Sequence, residues 1–111
     1  MKIAVAALNG QVAEHFGHCE VFLILDDENG LAKSIPNPGH KPGFLPNYLG
    51  DLGVQVIIAG GMGGGAVEIF CQRNIKVVTG AKGDALKAAQ AYRRGELTSS
   101  GDVCQDHHHA Q

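Results

Sequence analysis

The segment over residues 54–66, V-Q-V-I-I-A-G-G-M-G-G-G-A, constrains the fold of this chain more than any other stretch. A short run rich in valine and isoleucine is typical of a buried strand, and here it passes into a loop with five glycines before helical spacing resumes at residue 66. The pattern predicts a strand, an open loop and a helix. The loop lacks the Gly-Lys-Ser/Thr of a nucleotide-binding P-loop, and it does not match a clean dinucleotide fingerprint.

Two interpretations of this glycine loop are open. Glycines leave backbone N–H groups accessible, and the start of a helix carries partial positive charge, so the loop is suited to hold an anionic group. The same residues also suit a tight connection that only needs small side chains, and a thioether in it would cover apolar surface. We predict the ligand-facing role. The predicted binding residues are Gly60, Gly61, Met62, Gly63, Gly64 and Gly65.

The remaining hydrophobic pattern predicts one α/β domain over residues 1–97. The first apolar run has no polar residue, which is typical of a central strand covered on both faces. The predicted strands cover residues 3–8, 20–26, 31–35, 54–59 and 75–79. Three helices begin near residues 44, 66 and 84; the first ends at Gly53, and the third has Asp84 as its N-cap and Gly95 as its stop.

This order of elements predicts a five-stranded mixed sheet in spatial order 3-2-1-4-5, with strand 2 antiparallel and helices on both faces. Such a three-layer α/β arrangement is ribonuclease-H-like. Nucleases of that architecture need acidic residues on the first strand, and residues 3–8 have none, so we reject nuclease activity. A net charge of −2 without a basic patch argues against nucleic-acid binding. We find no signal peptide or membrane-spanning run and expect a cytoplasmic protein without membrane contact.

Soft metal ligands are expected at one rim of this sheet. A crevice opens at the carboxyl ends of the first and fourth strands, and the connection after the first strand, the glycine loop and the loop with His40 all reach it. The motif H-F-G-H-C places two imidazoles and one thiol in residues 15–19, and such groups bind zinc, copper(I) and iron–sulfur clusters. Alternatively, Cys19 is a small buried residue and the histidines are solvated. Cys71, in the second predicted helix, is expected in the core.

The polar tail over residues 98–111 is expected to be a flexible segment rich in cysteine and histidine. Its motif C-Q-D-H-H-H indicates metal binding, although a purification tag gives a similar pattern. Whether the tail folds back to the rim is left open. The complete set of predicted metal ligands is His15, His18, Cys19, Cys104, His107, His108 and His109.

Several of these segments together resemble the dinitrogenase iron–molybdenum cofactor biosynthesis family, which comprises small cluster-binding and carrier domains. The similar segments are M-K-I-A-V-A, H-F-G-H-C-E-V-F-L-I-L-D, I-A-G-G-M-G-G-G-A, I-K-V-V-T-G and A-Y-R-R-G-E-L. The resemblance implies a ribonuclease-H-like fold and the binding or delivery of an iron–sulfur, iron–molybdenum or other molybdenum–sulfur cluster, with a donor or recipient protein as partner. It implies ligand roles for His15, His18 and Cys19, with residues 60–65 as the seat of the anionic cluster.

Three functions are compatible with these observations. We favour a non-enzymatic binder or carrier of a metal–sulfur cluster. The alternatives are a binding module for a small phosphorylated or carboxylate anion, including nucleotides, and a partner-binding scaffold whose tail buffers metal ions. Enzymatic turnover is not expected, because no nucleophile-and-base pair or paired carboxylates stand at a predicted strand end.

Overall fold

A computed structural model describes residues 1–26, 28–39, 41 and 43–97 of the chain. This part contains three α-helices and a mixed β-sheet, so the predicted α/β class is confirmed. The strands are β1 (Lys2–Leu8), β2 (Gln11–Val12), β3 (Val21–Asp26), β4 (Leu31–Pro36), β5 (Val56–Ile58) and β6 (Lys76–Val78). The helices are α1 (Phe44–Asp51), α2 (Gly64–Gln72) and α3 (Ala85–Arg93). The predicted sites at His40, Cys104, His107, His108 and His109 lie outside the described residues.

The strands lie in the order β4-β3-β1-β5-β6, and β2 pairs only with β1. Strand β3 is antiparallel to both β1 and β4, whereas β5 is parallel to β1 and β6. The prediction of five strands was wrong, since the described sheet has six. The additional strand forms because Asn9 and Gly10 both adopt positive φ, at 54° and 80°, and so make a tight two-residue hairpin after β1.

Side chains of β1 alternate between two hydrophobic clusters, one on each face of the sheet. Ala4 and Ala6 belong to the cluster that includes residues of α1 and α2, whereas Ile3 and Val5 belong to the cluster that includes residues of α3. The described part of the chain therefore has three layers, with the sheet in the middle. None of its helices has the length and apolarity needed to cross a membrane.

The parallel pairing of β1 with β5 positions the candidate site. Because parallel strands end at the same edge of a sheet, the segment that follows β1 and the glycine loop that follows β5 leave from one edge. The third helix also begins near this edge, since the Ala85 N–H donates to the Gly10 carbonyl at 3.0 Å.

Candidate functional site

Two backbone hydrogen bonds join the segment after β1 to the glycine loop. The Gly60 N–H donates to the Ala13 carbonyl at 2.9 Å, and the Phe16 N–H donates to the Gly61 carbonyl at 3.0 Å. In both bonds the donor and the acceptor are main-chain atoms. The spacing between the two segments is therefore fixed independently of their side chains.

Gly60 and Gly61 are required by this close approach of two backbones. A Cβ atom on Gly60 would lie 2.9 Å from the Glu14 Cα and 3.0 Å from the Ala13 carbonyl oxygen. A Cβ on Gly61 would lie 3.1 Å from the Glu14 carbonyl oxygen. For these two residues, the tight-connection interpretation is sufficient to explain glycine.

Gly63, Gly64 and Gly65 differ, because a Cβ on any of them would meet nothing within 4 Å among the described residues. Gly63 is the N-cap of α2, with φ −68° and ψ 152°, a conformation open to other residues. Gly64 and Gly65 are already helical, so α2 begins two residues before the predicted start at residue 66. In the described part of the chain, neither packing nor backbone conformation explains these three glycines.

The N-terminus of α2 has an accessible row of backbone donors. No side chain caps this terminus, and its first backbone hydrogen bond runs from the Val67 N–H to the Gly63 carbonyl at 3.1 Å. Within the described residues, the N–H groups of residues 61–66 donate no hydrogen bond. Such donors at a helix start favour an anionic ligand.

Two imidazoles and a thioether line an open cleft of about 530 Å³ beside this row. His15 is the N-cap of a short 3₁₀ turn, Phe16–His18, and His18 is its last residue; their ring centroids are 5.9 Å apart. Met62, which also packs against the hydrophobic core, and Gly63 line the same cleft. The structure therefore brings three of the predicted residues, separated by more than forty positions in the chain, around one cleft.

Phe16 anchors the turn that carries the two histidines. Its ring is 5% exposed and contacts two core rings, Phe22 at a centroid distance of 5.6 Å and Phe70 at 5.4 Å. The 80° angle to Phe70 is the edge-to-face geometry that aromatic pairs favour. Sequence reasoning did not single out Phe16, although its position between two exposed histidines was a signal for an anchoring role.

Cys19 lies in the core rather than at the cleft. It is 6% exposed, shares a hydrophobic cluster with Phe16 and Phe22, and is not among the residues that line the cleft. Burial raises the pKa of the Cys19 thiol to about 11, although the side-chain amide of Asn37, 3.7 Å from Sγ, partly opposes this rise. Because thiolates rather than thiols bind metals, the ligand role predicted for Cys19 gains no support from this placement.

The described residues contain no group of three or more His, Cys, Asp or Glu side chains placed to hold one metal ion. Closed structural zinc sites use four such ligands, and catalytic ones use three. The cleft therefore offers only sparse side-chain ligation.

Cys71, which was predicted to be a core residue, is partly buried and packs against the same cluster as Cys19.

Comparison with known proteins gives consistent results. The family model for dinitrogenase iron–molybdenum cofactor matches residues 1–95. An uncharacterised protein of Methanocaldococcus jannaschii is 34% identical over 85 residues, which cover 69% of this chain and 72% of the relative. The crystal structure of the protein PH0822 has a TM-score of 0.81 at 29% identity, covering 93% of this chain and 97% of that one.

A Thermotoga protein, solved by NMR and described provisionally as a NifB protein, has a TM-score of 0.74. It is 25% identical, and the match covers 88% of this chain and 91% of that protein. The family model covers residues 1–95, a range that includes the histidine turn and the glycine loop. The chain belongs to the dinitrogenase iron–molybdenum cofactor family, which takes part in the biosynthesis and carriage of that cofactor.

Proposed function

We propose that this protein binds an iron–sulfur or molybdenum-containing metal–sulfur cluster as cargo and carries it between donor and recipient proteins during metallocofactor assembly. It does so without enzymatic turnover. The observation that carries the proposal is the cleft that His15 and His18 line together with residues 61–63 of the glycine loop, whose N–H groups donate no hydrogen bond within the described residues. Membership of the family supports the same function.

The chemistry of the cleft suits a sulfide-rich anion. Bridging sulfides accept hydrogen bonds, and the N–H groups of residues 61–63, which line the cleft, are the matching donors. Neutral imidazoles bind iron and related metals, so His15 and His18 would each supply one metal–nitrogen bond. The thioether of Met62, which lines the same cleft, would be a further soft ligand.

Sparse ligation also suits a carrier. A resident cofactor is commonly held by several strong ligands, whereas here only two imidazoles and one thioether converge among the described residues. Cargo held chiefly by amide hydrogen bonds and two imidazoles dissociates when a recipient offers stronger ligands. We also propose that the fold is ribonuclease-H-like. We further propose that the tail residues bind metal; these are Cys104, His107, His108 and His109.

Anaerobic reconstitution of the full chain with iron, molybdate and sulfide tests the proposal. We expect metal-dependent visible absorption that survives desalting. We also expect elemental analysis of the same sample to find bound metal. Replacing both His15 and His18 by alanine should weaken binding by more than about tenfold, the scale on which even outer-shell changes act. The matched control replaces Cys104 and the three tail histidines by alanine and should keep the cluster at the cleft.

Each alternative function gives a different result. Absence of metal-dependent absorption in the unmodified protein would refute cluster binding. If the tail variant alone loses all metal, the protein is a metal-buffering scaffold. If phosphate or nucleotides raise the melting temperature while metals and sulfide do not, the glycine loop belongs to an anion-binding module.

A further inference from the structure

We propose a second binding site beside the cleft, which takes a small carboxylate with an apolar body. A groove of about 450 Å³ lies between the N-terminal parts of α1 and α2. This volume is within the range of about 300–1,000 Å³ that small-molecule pockets occupy. Its side-chain walls come from Phe16, Lys41, Leu45, Pro46, Ala66 and Ile69.

The apolar walls of this groove are held rigidly. Phe16 and Leu45 are core residues with exposures of 5% and 2%. Gly43, the N-cap of α1, has a φ of 73°, and a Cβ there would lie 3.4 Å from the Ile69 Cδ1. Part of the groove wall therefore belongs to the packed core, which favours binding of a compact apolar group.

Charge at the edge of the groove favours an acid over a base or a neutral molecule. Among the described residues that line it, Lys41 is the charged one, and its side chain is exposed. No acidic side chain is part of this lining. An apolar body in the groove would therefore place a carboxylate near the Lys41 ammonium.

The groove adjoins the cleft but differs from it in chemistry. Both are lined by Phe16, Gly17 and Gly63, whereas His15, His18 and Met62 line the cleft and not the groove. A carboxylate in the groove would lie next to the proposed cluster without using the same ligating side chains. The two sites can therefore be tested separately.

Binding of 4-phenylbutyrate to the full chain, followed by amide NMR, tests the proposal. We expect shifts concentrated in residues 43–46 and 63–69, and affinity about fivefold higher than for 4-phenylbutanol, as an exposed ion pair allows. This preference should fall as salt increases. Lys41→Gln should abolish the preference for the acid, whereas the control Lys87→Gln, on α3 across the sheet, should retain it.

The proposal would be overturned by equal binding of acid and alcohol by the unmodified protein, or by shifts that map away from the groove. A preference for the acid that survives Lys41→Gln would also overturn it. Replacing both His15 and His18 by alanine should leave 4-phenylbutyrate binding unchanged, so failure of the cluster proposal does not by itself remove this one. Ala66→Leu, checked by its melting curve, should fill the groove and abolish binding of both probes.

Discussion

Replacing Gly63 by alanine distinguishes a requirement for glycine in the fold from a requirement for glycine in ligand binding. Gly63 has a backbone conformation that alanine adopts readily, and the new methyl group would meet nothing within 4 Å in the described structure. The unfolded chain loses conformational freedom, which stabilises the protein by about 0.4–1 kcal/mol. Alanine is a poorer N-cap than glycine by a similar amount, so the free energy of unfolding should stay within about 1 kcal/mol of the original.

The matched control is the same change at residue 60. There the new Cβ would lie 2.9 Å from the Glu14 Cα, a backbone atom that moves only if the paired segments separate. Such overpacking costs about 1–3 kcal/mol. For a domain of this size, each kcal/mol lowers the melting temperature by roughly 4–8 °C.

Cluster binding should be weakened more by Gly63→Ala than by Gly60→Ala, which is the reverse of the order expected for the loss of stability. Gly63 lines the cleft, so under the proposed function a methyl group added there would keep the cluster from one N–H donor, which is worth about 1.5–3 kcal/mol to a charged acceptor. We therefore expect Gly63→Ala to melt within a few degrees of the original protein, yet to bind the reconstituted cluster about 10–100-fold more weakly. Unchanged cluster affinity in Gly63→Ala would refute the proposal that backbone N–H groups of the glycine loop hold the cluster. Unchanged stability in Gly60→Ala would refute the argument that a Cβ at residue 60 is overpacked.

Three further variants test the support around the cleft. Phe16→Leu should cost about 1–1.5 kcal/mol of stability and weaken cluster binding although both histidines remain, and reconstitution that matches the original protein would contradict its anchoring role. The Cys19 thiol keeps its proton up to a pKa of about 11 when folded but loses it near 9.0 when unfolded, so stability should fall by about 2–3 kcal/mol between those pH values. Urea unfolding should show that Cys19→Ala lacks this loss. If the free energy of unfolding falls equally with rising pH in both proteins, the thiol of Cys19 is not buried. Asp84→Ala removes the carboxylate that accepts the Lys87 N–H at 2.9 Å and should cost about 0.5–2 kcal/mol without changing cluster binding.

Elements with many periodic residues and a chemical end signal could be predicted from the sequence. The third helix is an example, since Asp84 caps it and Gly95 follows it with a φ of 78°. Strand β2 could not be predicted, because two residues are too few to show a period. The start of α2 was placed late because glycine disfavours helices, but burial of Val67 and Phe70 outweighs that preference.

The candidate site could be predicted in part for similar reasons. Parallel strands end at one edge, which was enough to expect His15, His18 and Met62 near one another. Sequence spacing did not reveal that the chain becomes extended again at Cys19, with φ −72° and ψ 156°, after a three-residue turn. The thiol consequently enters the core while the neighbouring imidazoles stay outside.

The two main-chain hydrogen bonds that join Ala13 to Gly60 and Phe16 to Gly61 have an evolutionary consequence. Since neither bond uses a side chain, substitutions at residues 15, 18 and 62 would leave this main-chain connection between the two segments in place. Under the proposed function, a few substitutions there would exchange one set of metal-binding groups for another without a new fold. The framework is thus suited to diversification among cargoes of different metal composition.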